Sequence, residues 1–235
     1  GLVGSEMCIR DSSKVFITGE VTSTFTISDE RIKEIVKEIS NVDDVIINLA
    51  KQSPEIAQGV DVGGAGDQGI MIGYACRENE DLVPQEYYMA RELNRFIYEK
   101  YPYDGKTQVT INDNDLYVVC SFQNAPTEDL TYLCKRFFHK RFENYNLVKL
   151  FCNPAGDWNL GGFDADAGLT GRKLAVDNYG PRIPIGGGAF SGKDATKVDR
   201  SAAYMARRIA VDLLGKKPLD NEVFVELCYA IGYPQ

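Results

Sequence analysis

The spacing of apolar and polar residues predicts strands and helices along most of the chain. Residues 14–22 alternate as in a strand, and Ile32, Ile35, Val36 and Ile39 form one stripe of a helix that Ser28 caps. The same criterion predicts strands at 44–49, 70–76, 107–112, 116–122, 147–152, 172–178 and 222–231. It predicts further helices at 85–98, at about 127–142 with Thr127 as the N-cap, and at about 198–214.

The order of these elements repeats along the chain. Each time a strand or strand pair is followed by one helix, one strand and a glycine-rich loop. This order predicts an α+β protein built from similar units, each a sheet with helices on one face. Residues 1–12 show no helical or strand period, and we interpret them as a leader foreign to the fold.

Composition narrows the class of protein. The chain has 235 residues, 44% of them apolar, and a formal net charge of −8. An acidic surface argues against nucleic acid or an anionic membrane as a partner. The sequence shows neither a membrane-spanning run nor a signal peptide, which predicts a cytoplasmic protein. Six cysteines without a C-x-x-C pair, beside the single histidine His139, indicate free core thiols and an exposed histidine.

A glycine-rich stretch at residues 186–200 is the strongest candidate for a binding site. Glycines at 186, 187, 188 and 192 allow positive φ and close backbone approach, and a helix is predicted directly afterwards. Such a helix start favours an anion. Gly187, Gly192 and Lys193 also match the P-loop pattern G-x-x-x-x-G-K, but Asp194 replaces the Ser or Thr that binds Mg²⁺. The alternative interpretation is a glycine-rich surface turn.

Other charged residues near glycines extend this chemistry. The candidate cations for a polyphosphate are Lys106, Arg172, Lys173, Lys193 and Lys197, with Asp199 among the carboxylates for its Mg²⁺. The only tryptophan, Trp158, either stacks on an adenine ring or fills a gap in the core. No Ser-His-Asp, Cys-His or paired-glutamate arrangement stands out. The reaction therefore needs no protein nucleophile, or the protein is not an enzyme.

Five further stretches of the sequence have a distinctive composition: Lys51 to Ile56, Gly64 to Gly69, Lys106 to Val109, Gly168 to Lys173 and Gly186 to Arg200. Together these five motifs resemble the S-adenosylmethionine synthetase family, in the same order and at similar spacing. The resemblance covers nearly everything from about Val15 to Gly232. It implies a methionine adenosyltransferase, in which the sulfur of L-methionine attacks C5′ of ATP. The triphosphate leaves and is cleaved to pyrophosphate and phosphate.

The resemblance also assigns roles to single residues. It implies that Lys106, Arg172, Lys173, Lys193 and Lys197 contact the triphosphate and act in catalysis, and that Asp199 binds Mg²⁺. It places Asp104, Asp166 and Trp158 at the adenosine. It places Glu20, Gln52, Asp67, Asp166 and Lys197 at methionine, with Gln52 at the start of the active-site loop. Mg²⁺ and K⁺ are the implied cofactors.

The family fold implies similar α+β units related by pseudo-threefold symmetry. On this basis residues 13–62 are a partial N-terminal unit, 63–158 a central unit and 159–235 a partial C-terminal unit. Active sites between subunits imply a homodimer, with a tetramer as the alternative.

The sequence also departs from the family. The N-terminal His-Pro-Asp-Lys motif with its histidine and second Mg²⁺-binding aspartate is absent, as is a K⁺-binding glutamate expected near Met7. The active-site loop is short, and the chain stops at Pro234-Gln235. We therefore expect a chain truncated at both ends, with most of the nucleotide site but little synthetase activity. Two alternatives stay open: a non-catalytic ATP-binding or assembly subunit of the same fold, and a P-loop-like ATPase or kinase.

Overall fold

The structure is a computed structural model that describes residues 3–11, 13–40, 42–51 and 64–233, with only the backbone of 3–11. The chain forms two compact units. One comprises residues 1–77 and 167–235 and is called the discontinuous unit; the other comprises residues 78–166 and is called the continuous unit. Both contain sheets and helices, which confirms the α+β class.

The first sheet of the discontinuous unit has the strand order β3-β2-β1-β8. Its strands are β1 (Val3–Asp11), β2 (Lys14–Thr22), β3 (Asp44–Lys51) and β8 (Gly168–Leu169). Helix α1 (Asp29–Ser40) connects the parallel strands β2 and β3. The Arg31 N–H donates to the Ser28 hydroxyl at 3.2 Å, which confirms the predicted cap. Buried Val15, Val42 and Val45 form the small core beneath this sheet.

Residues 1–12 show no strand period and are interpreted as a leader foreign to the fold, whereas in the structure Val3–Asp11 form strand β1 of the first sheet. The nine residues of β1 pair antiparallel with β2, from Val3 opposite Thr22 to Asp11 opposite Lys14. Backbone hydrogen bonds build such a pairing, and they require no alternation of apolar side chains. Periodicity therefore could not reveal this strand.

The second sheet of the discontinuous unit consists of β4 (Gly69–Cys76) and β9 (Glu222–Tyr229), which are antiparallel. Helix α5 (Val198–Lys216) packs on β4 through a buried stripe of Ala202, Ala206 and Ala210. The approach is very close, because a Cβ on Gly73 would lie 2.0 Å from the carbonyl carbon of Ala206. This contact fixes the position of α5 and of the loop before it.

The strand predicted at 172–178 is wrong. The structure has a single helical turn there, α4 (Leu174–Asp177). The N–H groups of Val176 and Asp177 both donate to the carbonyl of Lys173, each at 3.0 Å. Short apolar runs do not distinguish a strand from a helical turn, and local hydrogen bonds decide the outcome here.

The continuous unit is a three-stranded sheet covered by two helices. Its elements are α2 (Gln85–Tyr98), β5 (Gly105–Asn112), β6 (Asp115–Phe122), α3 (Thr127–Arg141) and β7 (Asn146–Cys152), with strand order β5-β6-β7. A two-residue turn with Asp113 at φ 52° joins β5 and β6. Both helices contribute to one core with alternate residues of β6, so they cover the same face of the sheet.

Thr127 is not the N-cap of α3, contrary to the sequence prediction. The helix begins at Thr127, and the Asp157 carboxylate accepts hydrogen bonds from its N–H at 3.0 Å and its hydroxyl at 2.5 Å. A cap supplied from 30 residues away cannot be seen in local sequence.

The prediction of an exposed histidine is confirmed, because His139 is exposed. Cys120, Cys134 and Cys152 are free and buried, as predicted, and Cys76 is buried. The prediction of a core thiol is wrong for Cys228, which is exposed on β9. Within the described part of the chain, no helix is long and apolar enough to cross a membrane.

Candidate functional site

The glycine-rich loop before α5 is held around one carboxylate. Asp199, in the first turn of α5, accepts a hydrogen bond from the Gly188 N–H at 3.0 Å and forms an ion pair with the Lys193 ammonium. Arg200 donates to the backbone carbonyl of Lys193. The loop therefore presents Lys193 beside the start of the helix.

The glycines of this loop act mainly through close approach. A Cβ on Gly187 would lie 2.7 Å from Oδ1 of Asp199, and one on Gly188 would lie 3.2 Å from Nζ of Lys193. Of the four glycines at 186, 187, 188 and 192, only Gly192 has a positive φ, at 77°. The expectation that all four use conformational freedom is corrected to this one position.

The electrostatics of the loop favour an ionised Asp199. Burial alone would raise the pKa of this carboxyl, but the Lys193 ammonium and the Gly188 N–H outweigh burial and lower the pKa below its usual value. The helix N-terminus adds to the stabilisation of negative charge. At neutral pH the loop therefore contains a neutralised pair of charges.

This lowered pKa gives a pH-dependent stability. Because the folded pKa lies below the unfolded value of about 3.9, the stabilisation is present above that value and is lost as the pH falls through the folded pKa. We expect Asp199→Asn to lower the melting temperature at pH 7, with a difference from wild type that shrinks below about pH 4. Thermal denaturation at a series of pH values measures it. Asp212→Asn, an exposed position of the same helix, should have little effect throughout. A difference that grows on acidification would contradict this account.

Two further predicted cations lie next to the glycine loop. Gly171 has φ 85°, and a Cβ there would lie 3.0 Å from the Cβ of Ala189. This contact places Arg172 and Lys173, both exposed, beside the loop. The structure thus brings Arg172, Lys173, Lys193 and Lys197 into one region of the discontinuous unit.

The residues that are predicted to bind the substrate methionine are more dispersed. Asp67 is exposed before β4 in the Gly64 to Gly69 motif, whose Ala65 packs with Val198 at the start of α5. Glu20 is exposed on β2, in the other sheet, opposite Ala50. Gln52 lies outside the described residues. Asp67 is therefore near the glycine loop, whereas Glu20 belongs to a separate sheet.

A second group of predicted residues lies at one end of the sheet of the continuous unit. The Gln123 N–H donates to the carbonyl of Asp104, and the Asn124 N–H donates to the carbonyl of Trp158, both at 2.9 Å. The Asp104 carboxylate accepts from the Gly162 N–H at 3.0 Å. Gln123 and Asn124, which directly follow β6, therefore connect to Asp104 and Trp158 through backbone hydrogen bonds.

The other members of this group are exposed. Lys106 lies on β5 opposite Ser121, and the Asp166 N–H donates to the carbonyl of Gly162 at 3.2 Å. Trp158 is only partly buried and is not among the residues of the hydrophobic core. Trp158 therefore keeps part of its surface exposed to solvent while its ring lies close to Gly161.

Sequence reasoning missed the residues that hold Trp158 in place. Asn153 is 5% exposed; its side chain accepts from the Phe122 N–H at 3.1 Å and donates to the Ala125 carbonyl at 2.8 Å and to Asp157 at 3.2 Å. The Asn153-Pro154 pair signals a turn in sequence. Nothing in the sequence identifies Asp157 or Gln123 as anchors.

The structure does not support the P-loop alternative. That motif requires a strand directly before the loop. Between Gly171 and Lys197, where every residue is described, the only regular element is the helical turn α4. The phosphate-binding hypothesis therefore rests on the loop and helix start without P-loop architecture.

The residues present fit a Mg²⁺ ion that is shared with a phosphate ligand. Mg²⁺ is commonly bound by one or two carboxylates together with substrate phosphates. Asp199 supplies one ionised carboxylate at the loop. Among the described residues, no group of three His, Cys, Asp or Glu side chains could hold a metal by itself.

The fold and this site define an α+β protein with a glycine- and lysine-containing loop at a helix start. Residues 62–157 match the central domain of S-adenosylmethionine synthetase, and residues 160–235 match its C-terminal domain. S-adenosylmethionine synthase of Helicobacter pylori (strain ATCC 700392 / 26695) is 40% identical over 92% of this chain, and that of Helicobacter acinonychis (strain Sheeba) is 38% identical over 98%. The chain belongs to the S-adenosylmethionine synthetase family.

A solved structure supports the same fold. The structure of an unusual S-adenosylmethionine synthetase from Campylobacter jejuni superimposes with a TM-score of 0.84 and 31% identity, over 99% of this chain and 70% of that one. The chain spans 65% of the length of the Helicobacter pylori relative and 67% of that from Helicobacter acinonychis. The resemblance read from the five motifs is thus confirmed.

Proposed function

We propose that the protein takes part in forming S-adenosylmethionine from ATP and L-methionine. The observation that carries the proposal is the glycine loop, in which Lys193 is presented beside the start of α5 with Arg172 and Lys173 next to it. Together with Lys197, this part of an otherwise acidic protein carries four cationic residues. A triphosphate is the ligand that matches this charge.

The proposed chemistry is an in-line displacement at C5′ of ATP. The sulfur of methionine is the nucleophile, and its electron pair forms the S–C5′ bond as the C5′–O bond to the triphosphate breaks. No protein nucleophile is needed, which agrees with the sequence. Lys193, Lys197, Arg172, Lys173 and Lys106 stabilise the charge that develops on the leaving triphosphate. The triphosphate is then hydrolysed to pyrophosphate and phosphate.

The substrates are held by the remaining predicted residues. Trp158 stacks on adenine, with Asp104 and Asp166 at the adenosine. Glu20, Gln52, Asp67, Asp166 and Lys197 are assigned to methionine. The partial exposure of Trp158 and the exposure of Asp67, Asp104 and Asp166 support these assignments.

Asp199 is the residue that would hold Mg²⁺, which neutralises part of the triphosphate charge when bound. K⁺ is proposed from the family alone, without an assigned residue. We place the enzyme in the cytoplasm as a homodimer, with a tetramer as the alternative. Exposed apolar side chains on sheets, including Phe16, Ile46, Phe151 and Phe224, support association.

The alternative proposal is a non-catalytic ATP-binding or assembly subunit of the same fold.

Mass spectrometry of S-adenosylmethionine distinguishes these two proposals. The chain and a version extended with a family-like N-terminal segment are incubated with ATP, methionine, Mg²⁺ and K⁺. Product from at least one folded version is the expected result, and no product from either folded version would favour the assembly subunit.

A further inference from the structure

Gln123 follows β6 and contacts the segments that carry both Asp104 and Trp158. Its side-chain Nε2 donates to the Asn159 carbonyl at 2.8 Å, and its Oε1 accepts from the Asp104 N–H at 3.4 Å. Its own backbone N–H donates to the Asp104 carbonyl at 2.9 Å. Gln123 therefore joins the start of β5 to the residue directly after Trp158.

The orientation of this amide is fixed by its partners. One partner is a carbonyl and can only accept, whereas the other is an N–H and can only donate, so an inverted amide would lose both bonds. The space is also tight. A Cβ on Gly161 would lie 2.4 Å from Oε1 of Gln123 and 2.7 Å from Cζ3 of Trp158. Gln123 and the indole therefore share Gly161 as a common contact.

We propose that Gln123 is a positioning residue for the purine, because its amide sets the spacing between Trp158 and Asp104. The proposal rests on the proposed function, since it assumes that ATP is the ligand. The indole and the Asp104 carboxylate offer a stacking surface and an acceptor for hydroxyl groups, which suits a nucleoside. Correct spacing between them is what allows one ligand to use both.

The role of Gln123 is separable from folding. The loop is already anchored upstream by the three side-chain hydrogen bonds of buried Asn153 and by Asp157 at the start of α3. Gln123 itself is only partly buried. Removing its amide should leave the unit folded and release the segment from Trp158 to Gly162.

The test uses Gln123→Met, which keeps the length of the side chain but loses both hydrogen bonds, and Gln123→Ala. Gln85→Ala is the matched control, because Gln85 is also partly buried in this unit and accepts a hydrogen bond from Asn79 at 3.0 Å. Trp158 is the only tryptophan, so intrinsic fluorescence reports on this site directly. Calorimetry measures the dissociation constants of ATP and of inorganic tripolyphosphate.

Both Gln123 variants should show greater quenching of Trp158 by acrylamide. They should bind ATP about three- to tenfold more weakly, as expected for the loss of one or two neutral hydrogen bonds. Tripolyphosphate, which lacks the purine, should bind as tightly as in wild type, and so should both ligands to Gln85→Ala.

Three outcomes would overturn the inference. They are unchanged ATP affinity in both Gln123 variants, an equal loss for ATP and tripolyphosphate, and loss of folding in both variants. Failure of the wild-type chain to bind ATP would instead refute the proposed function, so the two failures are distinguishable.

Discussion

Lys193→Ala should weaken the binding of tripolyphosphate between about ten- and a hundredfold, measured by calorimetry with a chelator in place of Mg²⁺. The loss has two sources. A charge-assisted contact to phosphate disappears, which typically contributes about 1.5–3 kcal/mol. In addition, Asp199 loses the Lys193 ammonium, and its negative charge is then no longer balanced beside the anion.

A second variant separates the two sources. Lys193→Ala combined with Asp199→Asn should recover part of the affinity, because the repulsive carboxylate is removed while the lysine is still absent. Lys216→Ala, at the exposed last turn of the same helix, is the control for net charge and should bind nearly as wild type. Unchanged affinity in Lys193→Ala, and also in Lys193→Ala combined with Lys173→Ala, would refute the loop as the phosphate site and favour an assembly subunit.

Gly73→Ala should destabilise the discontinuous unit by about 3 kcal/mol or more. The added Cβ would lie 2.0 Å and 2.1 Å from the carbonyl carbon and oxygen of Ala206 and 2.5 Å from the N of Arg207. All three atoms belong to the backbone of α5, so no side chain can rotate away. The helix must shift from β4, and Asp199 in its first turn shifts with it. We therefore expect weaker tripolyphosphate binding as well as a lower melting temperature.

Gly215→Ala provides a control within the same helix. A Cβ at Gly215 meets no atom within 4 Å, and alanine favours a helix over glycine by about 0.5–1 kcal/mol. This variant should be as stable as wild type or more so. Denaturation followed by circular dichroism measures both variants, and a Gly73→Ala protein with wild-type stability would show that α5 does not pack as described.

Much of the fold could be predicted from sequence because strong periods mark buried faces. Helices α2, α3 and α5 and strands β4 to β7 each place apolar side chains at the spacing that their cores require. β1 and α4 could not be predicted in this way. Pairing with a neighbour creates the strand, and hydrogen bonds to the Lys173 carbonyl create the helical turn, so neither depends on apolar period.

In the candidate site too, some features could be predicted from the sequence and others could not. Glycine, lysine and aspartate in the stretch from 186 to 200 indicate an anion site, because these residue types have specific backbone and charge properties. The cap from Asp157, the buried amide of Asn153 and the contacts of Gln123 arise only when distant segments meet. Trp158 illustrates the limit: its sequence context does not determine its burial, which depends on Gly161 and Asn124.

The buried thiols give the chain its own reporters of local opening. A thiolate is the species that alkylating reagents attack, and hydrogen bonding between the thiols together with burial raises the pKa of Cys134 and of Cys152. These two and Cys120 belong to the core of the continuous unit, Cys76 lies buried on β4, and Cys228 is exposed on β9. Alkylation of Cys228 will therefore be immediate, whereas alkylation of the core thiols must wait until the unit opens. The rate of this slow alkylation measures how often each core opens to solvent.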